Sequence, residues 1–321
     1  MRNAIPNLKS QISNPKFPRG LTLMELLVVI FLVGLITAVT IPVMNPQSAP
    51  RRIREGSRIV SGAFSVARNR AVAEGRSVGV WLERQPAPKD SACFKLFFAE
   101  QPPTYSGETL SATVKVDNKG IATFTGINAA LINDGDVLQI NYQGHFYRMI
   151  KSGGGYALSS VTSPGGTAPI TPVGVAGLPF QIFRQPVKSA EKPIQLPSGI
   201  AIDLGASGFN GLSAAATGTS PLIVMFTPGG AVNSVVNLTA AGGPSGATDT
   251  LFLLVGRSDG LVQVYPNDPT NNQNDPGTIW VAVGNQTGMV STVENNGLSN
   301  GKTDIITART YAQTRTSMGG R

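Results

Sequence analysis

A single histidine, His145, stands among the 321 residues, so any histidine-based hydrolytic machinery has to be built on it. Ser152, Ser159 and Asp136 are its sequence neighbours, but the Gly-x-Ser-x-Gly turn that exposes a nucleophilic serine is absent. Gly153, Gly154 and Gly155 lack the lysine and following helix of a phosphate-binding loop and read as a turn. Cys93 is the one cysteine. It lies in an apolar run and reads as a buried thiol packing like a small hydrophobe. No Cys/His cluster has zinc spacing. Residues 267–275, Asn-Asp-Pro-Thr-Asn-Asn-Gln-Asn-Asp, hold the densest set of oxygen donors. Asp268 and Asp275 are the calcium candidates there, although the spacing is not that of an EF-hand; a solvated loop is the plainer reading. No enzyme and no other cofactor is expected.

The elements that would carry such groups follow from composition. Charged residues are 14% of the chain, against 37 Gly and 23 Pro, which suits a turn-rich β protein. The net charge of +8 is local. Arg2, Lys9, Lys16 and Arg19 lie before an apolar stretch. After it, Arg51, Arg52, Arg54, Arg58, Arg68, Arg70 and Arg76 face only Glu55 and Glu74. The remainder is balanced, so a nucleic-acid-binding face on the main body is not expected.

Residues 26–44 contain no charged side chain, and thirteen of the nineteen are Leu, Ile, Val or Phe. They supply about −4 to −8 kcal/mol of membrane-insertion free energy. As a helix, residues 21–44 would be about 36 Å long, against a hydrocarbon core of about 30 Å. A cleaved secretory signal is shorter and ends in small residues. The sequence therefore predicts a retained transmembrane helix. Glu25 stands at the mouth of this stretch, either as an interfacial acid or as one that requires a partner.

Residues 18–30, Pro-Arg-Gly-Leu-Thr-Leu-Met-Glu-Leu-Leu-Val-Val-Ile, resemble the processing motif of type IV pilins and type II secretion pseudopilins. The resemblance implies that prepilin peptidase cuts after Gly20 and N-methylates Leu21. It also implies that Glu25, fifth in the mature chain, pairs with the new α-amino group of a neighbouring subunit during assembly. Pro42 matches a frequent helix-kinking proline and Gly34 a frequent small residue. Leu21 departs from the usual Phe. Residues 63–80 and 223–230 are further similar to H-type minor pseudopilins.

Beyond Pro42, Pro46 and Pro50, helix signals resume over 51–74, with Ile53, Val60, Phe64, Ala67 and Ala71 in one stripe and Gly75 as C-cap. The arginines of this helix have two readings, contact with anionic headgroups or docking of acids on a neighbour. Short strands are expected at 77–82, 94–98, 137–142, 145–150, 180–183, 200–203, 222–226, 251–255 and 279–283.

The expected fold is α+β and pilin-like, a long N-terminal transmembrane helix continuing into a helix packed on a mainly antiparallel sheet. Its parts are a leader (1–20), a transmembrane and assembly helix (21–44), a kinked linker with an amphipathic helix (45–76) and a β-rich domain (77–321) with an insertion at 83–192. The resemblance implies a minor pseudopilin or minor pilin, single-pass in the inner membrane, with a cytoplasmic leader and an external domain. Its partners would be prepilin peptidase, other pilin-like subunits, the assembly platform and membrane lipid. A tethered adhesin or binding module and a major pilin are the alternatives.

Overall fold

The structure, a computed structural model, describes residues 22–43, 49–160, 177–209, 212–213, 220–237, 244–246, 249–262, 264, 268, 271–296 and 305–317. The chain divides into two units, residues 1–48 and 49–321.

The first unit contributes helix α1 (Leu23–Val43). In the second, α2 (Ala49–Glu74) leads into β1 (Val78–Arg84) and β2 (Ala92–Glu100). Six strands follow: β3 (Thr113–Val116), β4 (Ile121–Thr125), β5 (Val137–Ile140), β6 (Phe146–Ser152), β7 (Gly155–Ser160) and β8 (Phe180–Phe183). The chain then forms β9 (Val187–Lys188), β10 (Ile194–Gln195), β11 (Ile200–Phe209), β12 (Leu212–Ser213), β13 (Leu222–Phe226), β14 (Val232–Asn237) and β15 (Pro244–Gly246). Last come β16 (Leu251–Arg257), β17 (Ile279–Val283), β18 (Val290–Glu294) and α3 (Ile305–Ser317).

The large sheet runs β15-β14-β13-β1-β2-β11-β16-β17-β18, with β9 and β10 paired to β2 and β12 to β11. The second sheet runs β3-β4-β7-β6-β5-β8. Every named strand pairing is antiparallel.

Helix α2 lies on one face of the large sheet. Its buried residues are Ile53, Gly56, Ser57, Val60, Ala63, Phe64, Ala67 and Ala71, a stripe with helical spacing. They join alternate residues of the strands, such as Val78, Val80 and Leu82 of β1 and Leu251, Leu253 and Val255 of β16, in one core. Phe64 meets Phe226 edge to face at 6.3 Å. At Gly56 the helix approaches so closely that a Cβ would stand 2.9 Å from Ile200 Cγ2. Gly75, with φ +64°, ends the helix in the left-handed conformation that glycine adopts without strain. On the opposite face, Phe252, Leu254, Trp280 and Ala282 pack with Ala308 and Ala312 of α3.

Two expectations are corrected. The anticipated long N-terminal transmembrane helix running on into a sheet-packed helix is not the fold. Most of the described chain is antiparallel β-structure in two sheets, and α1 and α2 are separate elements in separate units. The single-pass placement in the inner membrane is also withdrawn, because no helix among the described residues is long and apolar enough to cross a membrane.

The hairpin expected at 137–150 forms from β5 and β6, with Leu138 opposite Tyr147. Strand β5 stops short of the expected 137–142 because Asn141 and Tyr142 take positive φ values of 55° and 56° and turn the chain early.

Phe64→Ala is expected to lower unfolding free energy by about 3–5 kcal/mol through loss of burial and a residual cavity. Val66→Ala, on the exposed side of the same helix, should change it by no more than about 0.5 kcal/mol. Urea denaturation of both variants checks the difference.

Candidate functional site

Helix α1 begins at a polar cap. The Thr22 carbonyl accepts from the Leu26 N–H at 3.0 Å, and Thr22 Oγ1 accepts from the Glu25 N–H at 3.3 Å. The Thr-x-x-Glu spacing is that of a capping box. It sets the Glu25 carboxylate in the first turn, where the helix dipole favours negative charge.

Apart from Glu25, the described side chains of the helix form no polar face. Leu23, Met24, Leu26, Leu27, Ile30, Phe31 and Ile36 are among its exposed residues, with Leu23 at 82% and Phe31 at 66%. At Gly34 nothing lies within 4 Å of where a Cβ would stand. Large apolar side chains point outward all around the axis. Covering them is worth on the order of 10–20 kcal/mol, comparable to the whole net stability of a typical domain at about 5–15 kcal/mol. Such a helix is a candidate contact surface along its entire circumference.

Gly20 and Leu21, the expected processing residues, lie outside the described residues. Pro42 falls in the last turn of α1.

The sequence neighbours weighed for hydrolysis have other occupations. His145 is exposed in the turn before β6, its ring 6.5 Å from that of Tyr147. Asp136 is fully buried, accepting from the Asn133 N–H at 2.8 Å and the Gln185 N–H at 2.7 Å. Burial raises its pKa, and those two donors oppose the rise. Ser152 pairs with Gly155 at the end of the β6–β7 hairpin, and Ser159 stands opposite Arg148. Among the described residues no hydrogen bond joins these groups into a catalytic relay. Burial pushes the Cys93 thiol up to about 12, and its Sγ donates to the Lys95 carbonyl at 3.2 Å. The thiolate needed for nucleophilic chemistry is therefore suppressed at neutral pH.

The Asn/Asp-rich segment has a role that sequence reasoning missed. It was expected to be solvated or to bind calcium, yet Asn271 and Asn272 are buried. Asn272 Nδ2 donates to the Arg257 carbonyl at 2.9 Å and its Oδ1 accepts from the Arg257 N–H at 2.8 Å, so one amide completes the edge of β16. Nδ2 also reaches Asp203 Oδ2 at 3.2 Å.

Asp203 sits at a bulge in β11. Between it and Gly208 the chain takes five steps against two along β16, which leaves backbone groups without ladder partners. Asp203 Oδ1 accepts from the N–H groups of Gly205 and Ala206, and Oδ2 from that of Val262. Ser207 Oγ donates to the Asp203 carbonyl and accepts from the Leu254 N–H. Arg309, reaching in from α3, donates to the carbonyls of Ala206 and Phe209. Burial raises the Asp203 pKa against the pull of these donors. Asn295 closes the far side, accepting from Trp280 Nε1 at 3.0 Å and donating to the Gln273 carbonyl at 2.7 Å. The cluster is a structural clasp whose polar atoms are turned toward one another.

The two calcium candidates stand in different surroundings. Asp268 is exposed. Asp275 Oδ1 accepts from the Gly277 N–H, and Oδ2 stands 3.7 Å from Arg257 Nε. Among the described residues no three or more His, Cys, Asp or Glu side chains group in a way that could hold a metal ion. The runs of Asn and Asp gave the one available signal of the clasp, but the loops they suggest are usually at the surface.

The chain matches no family model, no curated protein and no solved structure.

Asp203→Asn is expected to cost about 2–4 kcal/mol, since an amide NH₂ would face N–H donors and leave one unpaired; equilibrium unfolding of the variant measures it. Cys93 should resist a thiol-specific chromogenic reagent in the native chain at pH 8 and react stoichiometrically once the chain is denatured. Its thiolate is scarce below a pKa of about 12, and the side chain is buried.

Proposed function

We propose that the chain is a pilin-like filament subunit, of the minor pseudopilin or minor pilin kind, processed after Gly20 by prepilin peptidase and assembled through α1 with the helices of neighbouring subunits. The observation that carries this reading is α1 itself, whose large apolar side chains between Leu23 and Ile36 are exposed on all sides and whose first turn bears one acid. A bundle of like helices would cover the whole circumference, whereas a single docking groove would cover only one side of it.

Glu25 then has two separable duties. Within its own chain it belongs to the helix cap. Between chains its carboxylate would pair with the ammonium that cleavage creates on Leu21 of a neighbour. Two charges set in an apolar bundle are costly singly and tolerated together, so the pair would select axial register. The second unit would be the part that such a filament displays, and its antiparallel core does not depend on α1 for its own packing.

N-terminal sequencing of the mature protein should give methyl-leucine from Leu21; a native protein that keeps residues 1–20, or that begins beyond Asn45, overturns the proposal. Glu25→Gln retains a capping side chain while removing the charge. It should be cleaved like the parent chain yet be missing from sheared filaments, and normal incorporation of this variant would discard the intermolecular pair.

A further inference from the structure

The arginines of α2 divide into two groups. Those toward its C-terminal end, with Arg76 just beyond it, are engaged within the fold. Arg68 Nε donates to the Thr287 carbonyl at 2.8 Å, Arg70 pairs with Glu191 at 2.6 Å while its guanidinium lies 4.4 Å from the centre of the Phe98 ring, and Arg76 pairs with Glu74 and Glu100. Toward the N-terminal end the pattern changes. Arg51, Arg54 and Arg58 follow one another at helical spacing and line an open cavity of about 820 Å³, to which β17, β18 and α3 also contribute lining residues. Arg315 of α3 adds a fourth guanidinium.

Among the described residues, neither Arg51 nor Arg58 has a side-chain hydrogen bond or ion pair. Arg54 reaches Glu294 at 3.4 Å, with both side chains about 70% exposed (69% and 72%), and such pairs contribute little. The first turn of α2 has no acid and holds Arg51 and Arg52, so the positive end of the helix dipole adds to the arginines instead of being offset. Positive potential of this density in a concave site favours an anionic ligand.

The lining narrows the class of ligand. Glu55 and Glu294 stand among the arginines, and Ile279 and Val293 contribute apolar surface. A polyphosphate or nucleic-acid backbone, carrying negative charge at every step, would meet both glutamates. A polypeptide can place carboxylates on the guanidinium forks and apolar side chains between them. We propose that this groove binds a carboxylate-rich peptide segment of a partner chain, with Arg51 and Arg58 as its principal anchors. The proposal does not depend on the filament reading, because it concerns only the second unit.

The test uses the full chain, kept dispersed by a nonionic detergent, and a fluorescein-labelled hexapeptide of alternating glutamate and leucine followed by anisotropy. Binding is expected, weakening as salt rises, and the Arg51→Ala/Arg58→Ala double variant should bind at least about tenfold more weakly with an unchanged thermal midpoint. Arg68→Ala, outside the groove, should bind like the parent. Inorganic phosphate and a labelled oligothymidylate are the competing probes. The proposal is overturned if the peptide fails to bind, if the double variant binds it as well as the parent, or if the oligothymidylate binds more tightly than the peptide through the same two arginines.

Discussion

The dominant constraint on this molecule is the water-facing surface of α1. Its side chains from Leu26 to Ile36 are apolar in every direction, so the helix has no orientation that satisfies both water and core. An amphipathic helix such as α2 resolves the same conflict inside its own chain by laying one stripe on a sheet. A helix lacking a polar face has to be covered by something else. The proposed subunit role follows from that need, and the capped acid at the start of the helix gives the contact a direction along its axis.

The second unit reflects a different balance, in which apolar burial sets the layers and polar groups fix the register. Strands β16 and β17 are buried on both faces, against α2 on one side and α3 on the other. Sandwiching of this kind removes the alternation of apolar and polar residues and leaves continuous apolar runs. Two covered faces also leave little room for a backbone irregularity, yet β11 carries a bulge there. Asp203, Ser207, Asn272 and Arg309 supply the donors and acceptors the interrupted ladder lacks. Buried polar groups require partners, and here those partners come from distant parts of the chain, which ties the last helix and the Asn-rich segment to the sheet.

Legibility in the sequence followed the range of the forces involved. The stripe on α2 and the strands at 78–84, 92–100, 222–226, 251–257 and 279–283 were readable because apolar periodicity and glycine punctuation are local signals. Helix α3 went unread. Among the described residues its apolar core contacts are Ile305, Ala308 and Ala312, too small a stripe to stand out among threonines. The clasp went unread because its partners lie up to about a hundred residues apart, as Arg309 and Ala206 do. Asparagines that complete a strand edge look, in sequence, like asparagines in a surface loop. The transmembrane role of the first helix was read from hydropathy, which reports how greasy a segment is but not what it joins.

The position of the six-stranded sheet in the chain has its own consequence. The polypeptide leaves the large sheet at Glu100 and returns at Val187, and those two residues are register partners in the β2–β9 pairing. Between them lies a sheet with its own interior, built on Val114, Leu138, Met149, Phe180 and Ile182. The host therefore sees the excursion as a single closed loop whose ends already touch. Mutation can lengthen, shorten or replace such an appendage while the ladder beneath keeps its alignment. Natural selection thus has a place to reshape what the molecule presents to its surroundings without disturbing the layers that hold it together.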